Sequence, residues 1–189
     1  MNDVIDSLVG IAPGSHLDRI RAQRVQARDN AQLSYLALFR PATPGEMTQA
    51  ERHAVAVFVA SLHGQPEIAA FYAAGVADAA PLLAAARAAA AKGPYGHYPA
   101  GPLSGEDAPG PVLRPDALAA FDRKLAAGLA HAHLLVFHPR DAAPPALQAL
   151  LDAGWSTTGI VTLSQLVAFL SFQIRVVVGL RALAAAPAA

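Results

Sequence analysis

Residues 48–63, TQAERHAVAVFVASLH, contain the clearest fold signal in this chain of 189 residues. Thr48 and Glu51 have the spacing of a capping box, in which the two side chains satisfy the first free N–H groups of a helix. The interior AVAVFVASL is apolar on every side, and its β-branched residues would also suit a strand. The cap and the length favour a helix, and a helix without a polar face belongs inside a core. We therefore predict a central helix over residues 49–63.

The residues after this helix predict a tight turn into a second helix. Gly64 breaks the helical pattern, and Pro66 suits the first turn of a short helix that ends at Tyr72. The remaining predicted helices cover residues 15–39, 79–91, 116–137 and 145–153. A last, long apolar helix follows a cap at Ser156 or Thr157 and runs to residue 180. Each of these helices begins with a cap or ends at a glycine or proline.

This pattern indicates an all-α fold class in a single domain, with about seven or eight helices and no strand. The domain is expected over residues 15–182. Residues 1–14 are expected to form an N-terminal arm, and residues 183–189 a disordered tail. Residues 93–115 contain five glycines and six prolines. They predict a long loop, of a kind that is often a lid or an interface arm.

Composition and charge exclude several classes of function. The net charge is zero, with 14 basic and 14 acidic side chains, so we expect no nucleic-acid partner, because phosphate binding needs clustered cations. The chain has no cysteine, which excludes disulfides, thiolate nucleophiles and cysteine-bound metals. The first residues have no basic segment before an apolar run, so the expected compartment is the cytoplasm.

The apolar stretch over residues 160–180 is long enough to span a bilayer. It includes Arg175 and the two amides of Gln165 and Gln173, which are costly in lipid. A helix of the protein core is therefore the better interpretation, and we expect no membrane partner. Apolar residues make up 54% of the chain and charged residues 15%, a balance that fits alanine-rich surfaces or apolar faces buried between subunits.

Two segments resemble a known superfamily. Residues 51–72, ERHAVAVFVASLHGQPEIAAFY, are similar to the core helix pair of the alkylhydroperoxidase D/carboxymuconolactone decarboxylase superfamily, whose usual pattern is E-x-x-A-x-x-V-S-x-x-N-x-C-x-x-C-x-x-x-H. Residues 150–180, with an Ala-Gly turn, a cap and an apolar helix with an internal arginine, resemble the C-terminal part of its peroxidase-related members. The resemblance implies a helical fold over residues 15–182 and homo-oligomers.

The residues that carry thiol chemistry in this superfamily are replaced here. Gln65 stands at the position of the first cysteine, Ile68 at that of the second and Tyr72 at that of the histidine, while His53 stands where the peroxidases carry a proton-relay glutamate. Peroxide reduction by thiols needs a thiolate nucleophile and a resolving thiol. We therefore predict that the chain is not itself a thiol peroxidase.

The decarboxylase branch of the superfamily works without a cysteine pair, and resemblance to it implies acid/base chemistry on a small organic acid or lactone. His53, His63, Glu67 and Tyr72 flank the corresponding pocket and could supply acid/base groups. Structural roles are the interpretation we favour: His63 could complement the helix end, Tyr72 could fill the volume of the missing histidine, and Gln65 and Glu67 could face solvent.

Arg175 is the other candidate site residue. Inside an apolar helix it needs an acceptor, because unpaired burial of a charge is costly. One interpretation is a buried ion pair with Glu51, Asp152 or an acid of a neighbouring subunit. The other is a clamp for a substrate carboxylate.

The histidines at positions 131, 133 and 138 do not have the spacing of metal ligands. Residues two apart on a helix point to different sides, and residues seven apart share a side but lie roughly 10 Å apart. We predict no metal site and no cofactor.

Two hypotheses of function follow. In the first, the chain is a degenerate member of the superfamily that binds a small ligand or a partner, either in homo-oligomers or with a cysteine-containing relative. The alternative is a cysteine-independent acid/base enzyme with decarboxylase- or lactone-type chemistry on a small organic substrate.

Overall fold

The computed structural model describes residues 3–186, and this part of the chain is all-α. It has no strand within those residues, only an isolated bridge between Gly96 and Ala108. The predicted fold class is confirmed. The helices are α1 (Val4–Val9), α2 (His16–Ala22), α3 (Val25–Phe39), α4 (Gln49–Leu62), α5 (Pro66–Ala73), α6 (Ala80–Ala88), α7 (Arg123–Phe137), α8 (Pro144–Asp152) and α9 (Thr157–Ala185), with short 3-10 helices at Pro102–Glu106, Pro115–Leu118 and Pro139–Asp141.

Helix α4 is the centre of the core. The capping box is present: the Glu51 N–H donates to Thr48 Oγ1 at 3.2 Å, and the Thr48 N–H donates to Glu51 Oε2 at 2.7 Å. Residues 55–60 are completely buried, as expected for a helix that is apolar all round. Helices α3, α5, α6, α7 and α9 all pack against it.

Helix α9 buries one side and exposes the other. Ser156 caps it through its hydroxyl, which accepts from the Gly159 N–H at 3.0 Å. It is long and apolar enough to cross a membrane, and 39% of its most apolar 18-residue window is buried. The expected core helix is therefore only half enclosed. Val161, Phe172 and Leu183 on its outer side are 51%, 47% and 44% exposed.

The N-terminal segment is more structured than an arm. Helix α1 lies within it, buries Val4 and Ile5, and packs against α3 and α9. Buried Arg21 pairs with Asp3 at 2.7 Å and also with Asp6. These ion pairs attach α1 to the rest of the domain.

The other differences from prediction are local. The helix expected over 15–39 is interrupted at Gln23 and Arg24, between α2 and α3. This break allows Arg21 and Arg28, on either side of it, both to reach Asp6. The helix expected from residue 116 begins at α7, because Asp122 caps it by accepting from the Leu125 N–H at 2.9 Å, and aspartate favours that position over a helix interior.

The loop over residues 93–115 is irregular but held in place. The Tyr95 N–H donates to the Phe137 carbonyl at 2.6 Å, and the His97 N–H donates to Asp141 Oδ1 at 3.0 Å. At the C-terminus, α9 continues to Ala185, into the predicted tail. Residues 1–2 and 187–189, at the outer ends of the predicted arm and tail, lie outside the described residues.

Gly64 allows the turn from α4 to α5, with a φ of 67°. A Cβ at this position would meet no atom within 4 Å, so only the backbone conformation opposes a larger residue. We expect Gly64→Ala to lower the free energy of unfolding by about 1 kcal/mol, the cost of the left-handed conformation for a residue with a Cβ. Urea unfolding followed by circular dichroism measures this change.

Gly179 is the matched control, because it is exposed within α9 and a Cβ there would also meet no atom within 4 Å. We expect Gly179→Ala to raise the free energy of unfolding by about 1 kcal/mol through helix propensity. Equal effects of the two substitutions would contradict the role assigned to the Gly64 turn.

Candidate functional site

A cleft of about 570 Å³ opens where α4 ends against α9. Its polar lining residues come from three parts of the chain: His63 follows α4, Lys92 follows α6, and Ser164, Ser171 and Arg175 lie on α9. The rest of the lining is mostly apolar and consists of Gly93, Pro94, Leu135, Val136, Phe137, Pro139, Val167 and Ala168.

Local structure places three polar groups together. His63 lies at the C-terminal end of α4, immediately before the Gly64 turn, and its Nε2 is 3.4 Å from Ser171 Oγ. Ser171 and Arg175 are one helical turn apart and therefore share a side of α9. Arg175 Nη1 donates to the Ser171 carbonyl at 3.1 Å, which leaves most of its N–H groups for other acceptors.

The cleft is positively charged. Burial, and secondarily the Arg175 guanidinium, lower the pKa of His63 to about 4, so the imidazole is neutral near neutral pH. The lining includes Lys92 and Arg175 but no carboxylate. Neither cation has an ion pair within residues 3–186. The site therefore presents two uncompensated cations beside a neutral imidazole and an apolar wall.

Arg175 corrects one prediction. It is exposed on the outer side of α9, and within residues 3–186 it forms no ion pair with Glu51 or Asp152. A pairing with an acid of a neighbouring subunit stays a prediction. Glu51 pairs instead with Lys124 at 2.7 Å, and Asp152 accepts from Gln148 at 2.8 Å. The pairing prediction assumed that α9 is enclosed on every side, whereas only one side is buried.

Tyr72 lies in the core, away from the cleft lining. Its hydroxyl donates to Gln173 Oε1 at 2.6 Å, and its ring stacks on Phe39 with centroids 4.8 Å apart. Burial raises the pKa of this phenol well above its usual value. Tyr72 therefore acts as a buried packing and hydrogen-bonding residue.

His53 is also separate from the cleft. Its Nδ1 is 2.9 Å from the Gln49 carbonyl, and its ring packs edge-on against Phe39. Ten residues separate it from His63 along α4, which is roughly 15 Å along the helix axis. The two histidines predicted to act together do not converge on one site.

The residues predicted to stand in for the superfamily motif at the start of α5 make structural contacts outside the cleft. Ile68 is completely buried. Gln65 precedes the helix, with its Nε2 3.5 Å from the His63 carbonyl. Glu67 is exposed and pairs with Arg181 at 2.8 Å. None of the three is among the residues that line the cleft.

Lys92, Ser164 and Ser171 belong to the cleft and were not predicted from the sequence. The only sequence signal was the one-turn spacing of Ser171 and Arg175, which says nothing about the partner of that helix face. For metals, no group of three or more histidine, aspartate or glutamate residues in the described part of the chain could hold an ion.

Comparison with known proteins gives no assignment: no family model, no curated protein and no solved structure matches the chain. The resemblance of residues 51–72 and 150–180 to the superfamily stays a prediction.

The electrostatic coupling in the cleft can be tested directly. We expect the His63 imidazole to titrate near pH 4 in the folded protein, below the ordinary histidine value of about 6.5. Arg175→Met removes a nearby positive charge and should raise the His63 pKa, but not to its ordinary value, because burial is the larger cause. Imidazole NMR over a pH series measures both values.

Arg87→Met is the matched control, because Arg87 is an exposed helical arginine that also donates to a backbone carbonyl but does not line the cleft. It should leave the His63 titration unchanged. A wild-type His63 that titrates at its ordinary value would show that the ring is solvated and would refute the arrangement described above.

Proposed function

We propose that this chain binds a small amphipathic carboxylate in the cleft at His63 and Arg175. The observation that carries the proposal is the pair of cations, Lys92 and Arg175, that line an apolar cleft without an ion pair in the described part of the chain. A charged group at the edge of an apolar cavity favours a ligand with one anionic end and one apolar end.

Each part of the cleft has a role in this binding mode. The Arg175 guanidinium can donate two parallel hydrogen bonds to a carboxylate, a geometry that lysine does not offer. His63 and Ser171 supply neutral hydrogen-bonding groups beside it. The apolar wall that would contact the remainder of the ligand includes Leu135, Phe137 and Val167. A volume of about 570 Å³ is suited to a small molecule.

We further propose that the chain is a cysteine-less relative of the alkylhydroperoxidase D/carboxymuconolactone decarboxylase superfamily, close to its peroxidase-related branch. The absence of cysteine excludes thiol peroxidase chemistry by this chain. A ligand-binding role is favoured over acid/base catalysis because His53 and Tyr72 lie outside the cleft lining. The phenol of Tyr72 is already hydrogen-bonded to Gln173.

The experiment is calorimetric titration with three probes of equal chain length: hexanoate, hexanol and hexylamine. We expect hexanoate to bind, and Arg175→Met to weaken its binding about 10- to 100-fold, because a charge-assisted hydrogen bond is lost. Arg87→Met, with the same change of side chain away from the cleft, should not change the affinity.

Imidazole NMR in the same titration gives the location, since a ligand in the cleft should shift the His63 signals. Hexanoate binding that is unchanged by Arg175→Met, or hexanol binding that shifts the His63 signals at the same affinity as hexanoate, would refute the carboxylate site. Conversion of a bound lactone or keto acid, followed by NMR of the ligand, would instead support the acid/base alternative.

We also propose that copies of the chain associate through the outer side of α9, in a soluble cytoplasmic assembly. Val161, Phe172 and Leu183 follow one another eleven residues apart. Eleven residues are close to three helical turns, so the three side chains form one straight row. All three are large, apolar and exposed, and a row of this kind suits packing against a second helix.

Phe172→Gln should shift the protein towards a smaller species, because it places a polar side chain in the middle of this row. Light scattering coupled to size-exclusion chromatography in detergent-free buffer measures the mass. Leu33→Gln is the control, since Leu33 is an exposed apolar residue of α3. A monomeric wild-type protein, or one that is extracted only with detergent, would refute association as a soluble assembly. Mixing the protein with a cysteine-containing member of the superfamily, followed by the same chromatography, tests the alternative that such a relative is the partner.

A further inference from the structure

His131 on α7 is a buried imidazole without a hydrogen-bond partner. The residue is 6% exposed, and neither Nδ1 nor Nε2 has a partner within residues 3–186. A neutral imidazole carries one donor and one acceptor. Buried polar groups of folded proteins are nearly always paired, so a ring with both nitrogens unpaired needs an explanation.

The rings of the two neighbouring histidines, His133 and His138, do have hydrogen-bond partners near the end of α7. His133 Nε2 is 3.1 Å from the Ala89 carbonyl. His138 contacts Asp141 Oδ2 at 3.0 Å through Nδ1 and the Pro111 carbonyl at 2.9 Å through Nε2. Because residues two apart on a helix point to different sides, His131 faces away from the Ala89 carbonyl that contacts His133. It lies seven residues before His138, roughly 10 Å along the helix axis from that ring and its acceptors.

His131 is among the residues that line a second, smaller cleft. This cleft has a volume of about 240 Å³ and lies between α7 and α8, with an apolar lining that includes Leu135, Pro144 and Leu147. Ser164 and Leu135 line both this cleft and the larger one at Arg175. The two clefts are therefore neighbours.

We propose that the small cleft is a second subsite, in which His131 binds an uncharged hydroxyl or carbonyl group of the ligand. This inference rests on the proposed function: the carboxylate lies at Arg175, and a polar group farther along the same molecule reaches His131. The ligand class is then a hydroxy- or oxo-carboxylic acid with an apolar segment between its two polar ends.

The lining of the small cleft decides that the second group is uncharged. No acidic residue, lysine or arginine is among its lining residues, so a charged group there would have no counter-ion. Burial lowers the pKa of His131, which keeps the imidazole neutral. In that state it can donate to a carbonyl or accept from a hydroxyl.

The experiment compares straight-chain carboxylates of increasing length with their terminal hydroxy analogues. For the chain length that spans both clefts, we expect the hydroxy acid to bind the wild-type protein about 3- to 10-fold more tightly than the parent acid, as one additional hydrogen bond allows. His131→Leu should abolish this gain and leave the affinity for the parent acid unchanged.

His131→Leu should fold, because it replaces an unpaired polar group with an apolar side chain in apolar surroundings. His16→Leu, at an exposed position in α2, is the control for the loss of a histidine. The ¹⁵N signals of the His131 ring give a readout that is independent of affinity, because a new hydrogen bond moves the signal of the nitrogen that makes it.

The outcomes separate the two proposals. Arg175-dependent binding of parent acids, with no gain for any hydroxy acid and no change at His131, would overturn the second subsite and leave the carboxylate site intact. If no carboxylate binds, the proposed function fails. The subsite is then tested with hexanol alone, through the ¹⁵N signals of the His131 ring. A shift of the His131 signals by hexanol supports a hydroxyl site, whereas unchanged signals overturn it.

Discussion

The burial of helix α4 on every side is the constraint on which the rest of the structure depends. Its residues 55–60 have no exposed surface, so other helices must surround it to remove that apolar area from water. Helices α3, α5, α6, α7 and α9 do so. The candidate site lies where this enclosure ends, because His63 follows the last turn of α4 and meets α9 there.

Helix α9 connects the core to the proposed function because its two sides have different surroundings. The inner side contributes Leu163, Leu166 and Leu170 to the core. The outer side carries Arg175 at the edge of the cleft, where one hydrogen bond to the Ser171 carbonyl leaves most of its donors for other acceptors. The same helix therefore stabilises the fold and presents the cation that would bind a carboxylate.

Much of the local structure could be predicted from the sequence, since caps, glycine turns and apolar periodicity act over a few residues. The capping box at Thr48 and the turn at Gly64 were both found in this way. The interruption between α2 and α3 was not predicted. It accommodates the ion pairs of Arg21 and Arg28 with Asp6, and these pairs depend on the tertiary structure. Helix α1 was not predicted either, because its contacts with α3 and α9 join parts of the chain that are distant in sequence.

The sequence by itself determined the all-α class, the central position of α4 and the exclusion of thiol chemistry, because these depend on composition and on neighbours along the chain. Only the tertiary structure decided which histidines face a cleft. His63 meets Ser171 across 108 positions, and His53, on the same helix, meets Phe39 in the core instead. Such pairings depend on how helices pack, and the periodicity of one helix does not specify the neighbour on each of its sides.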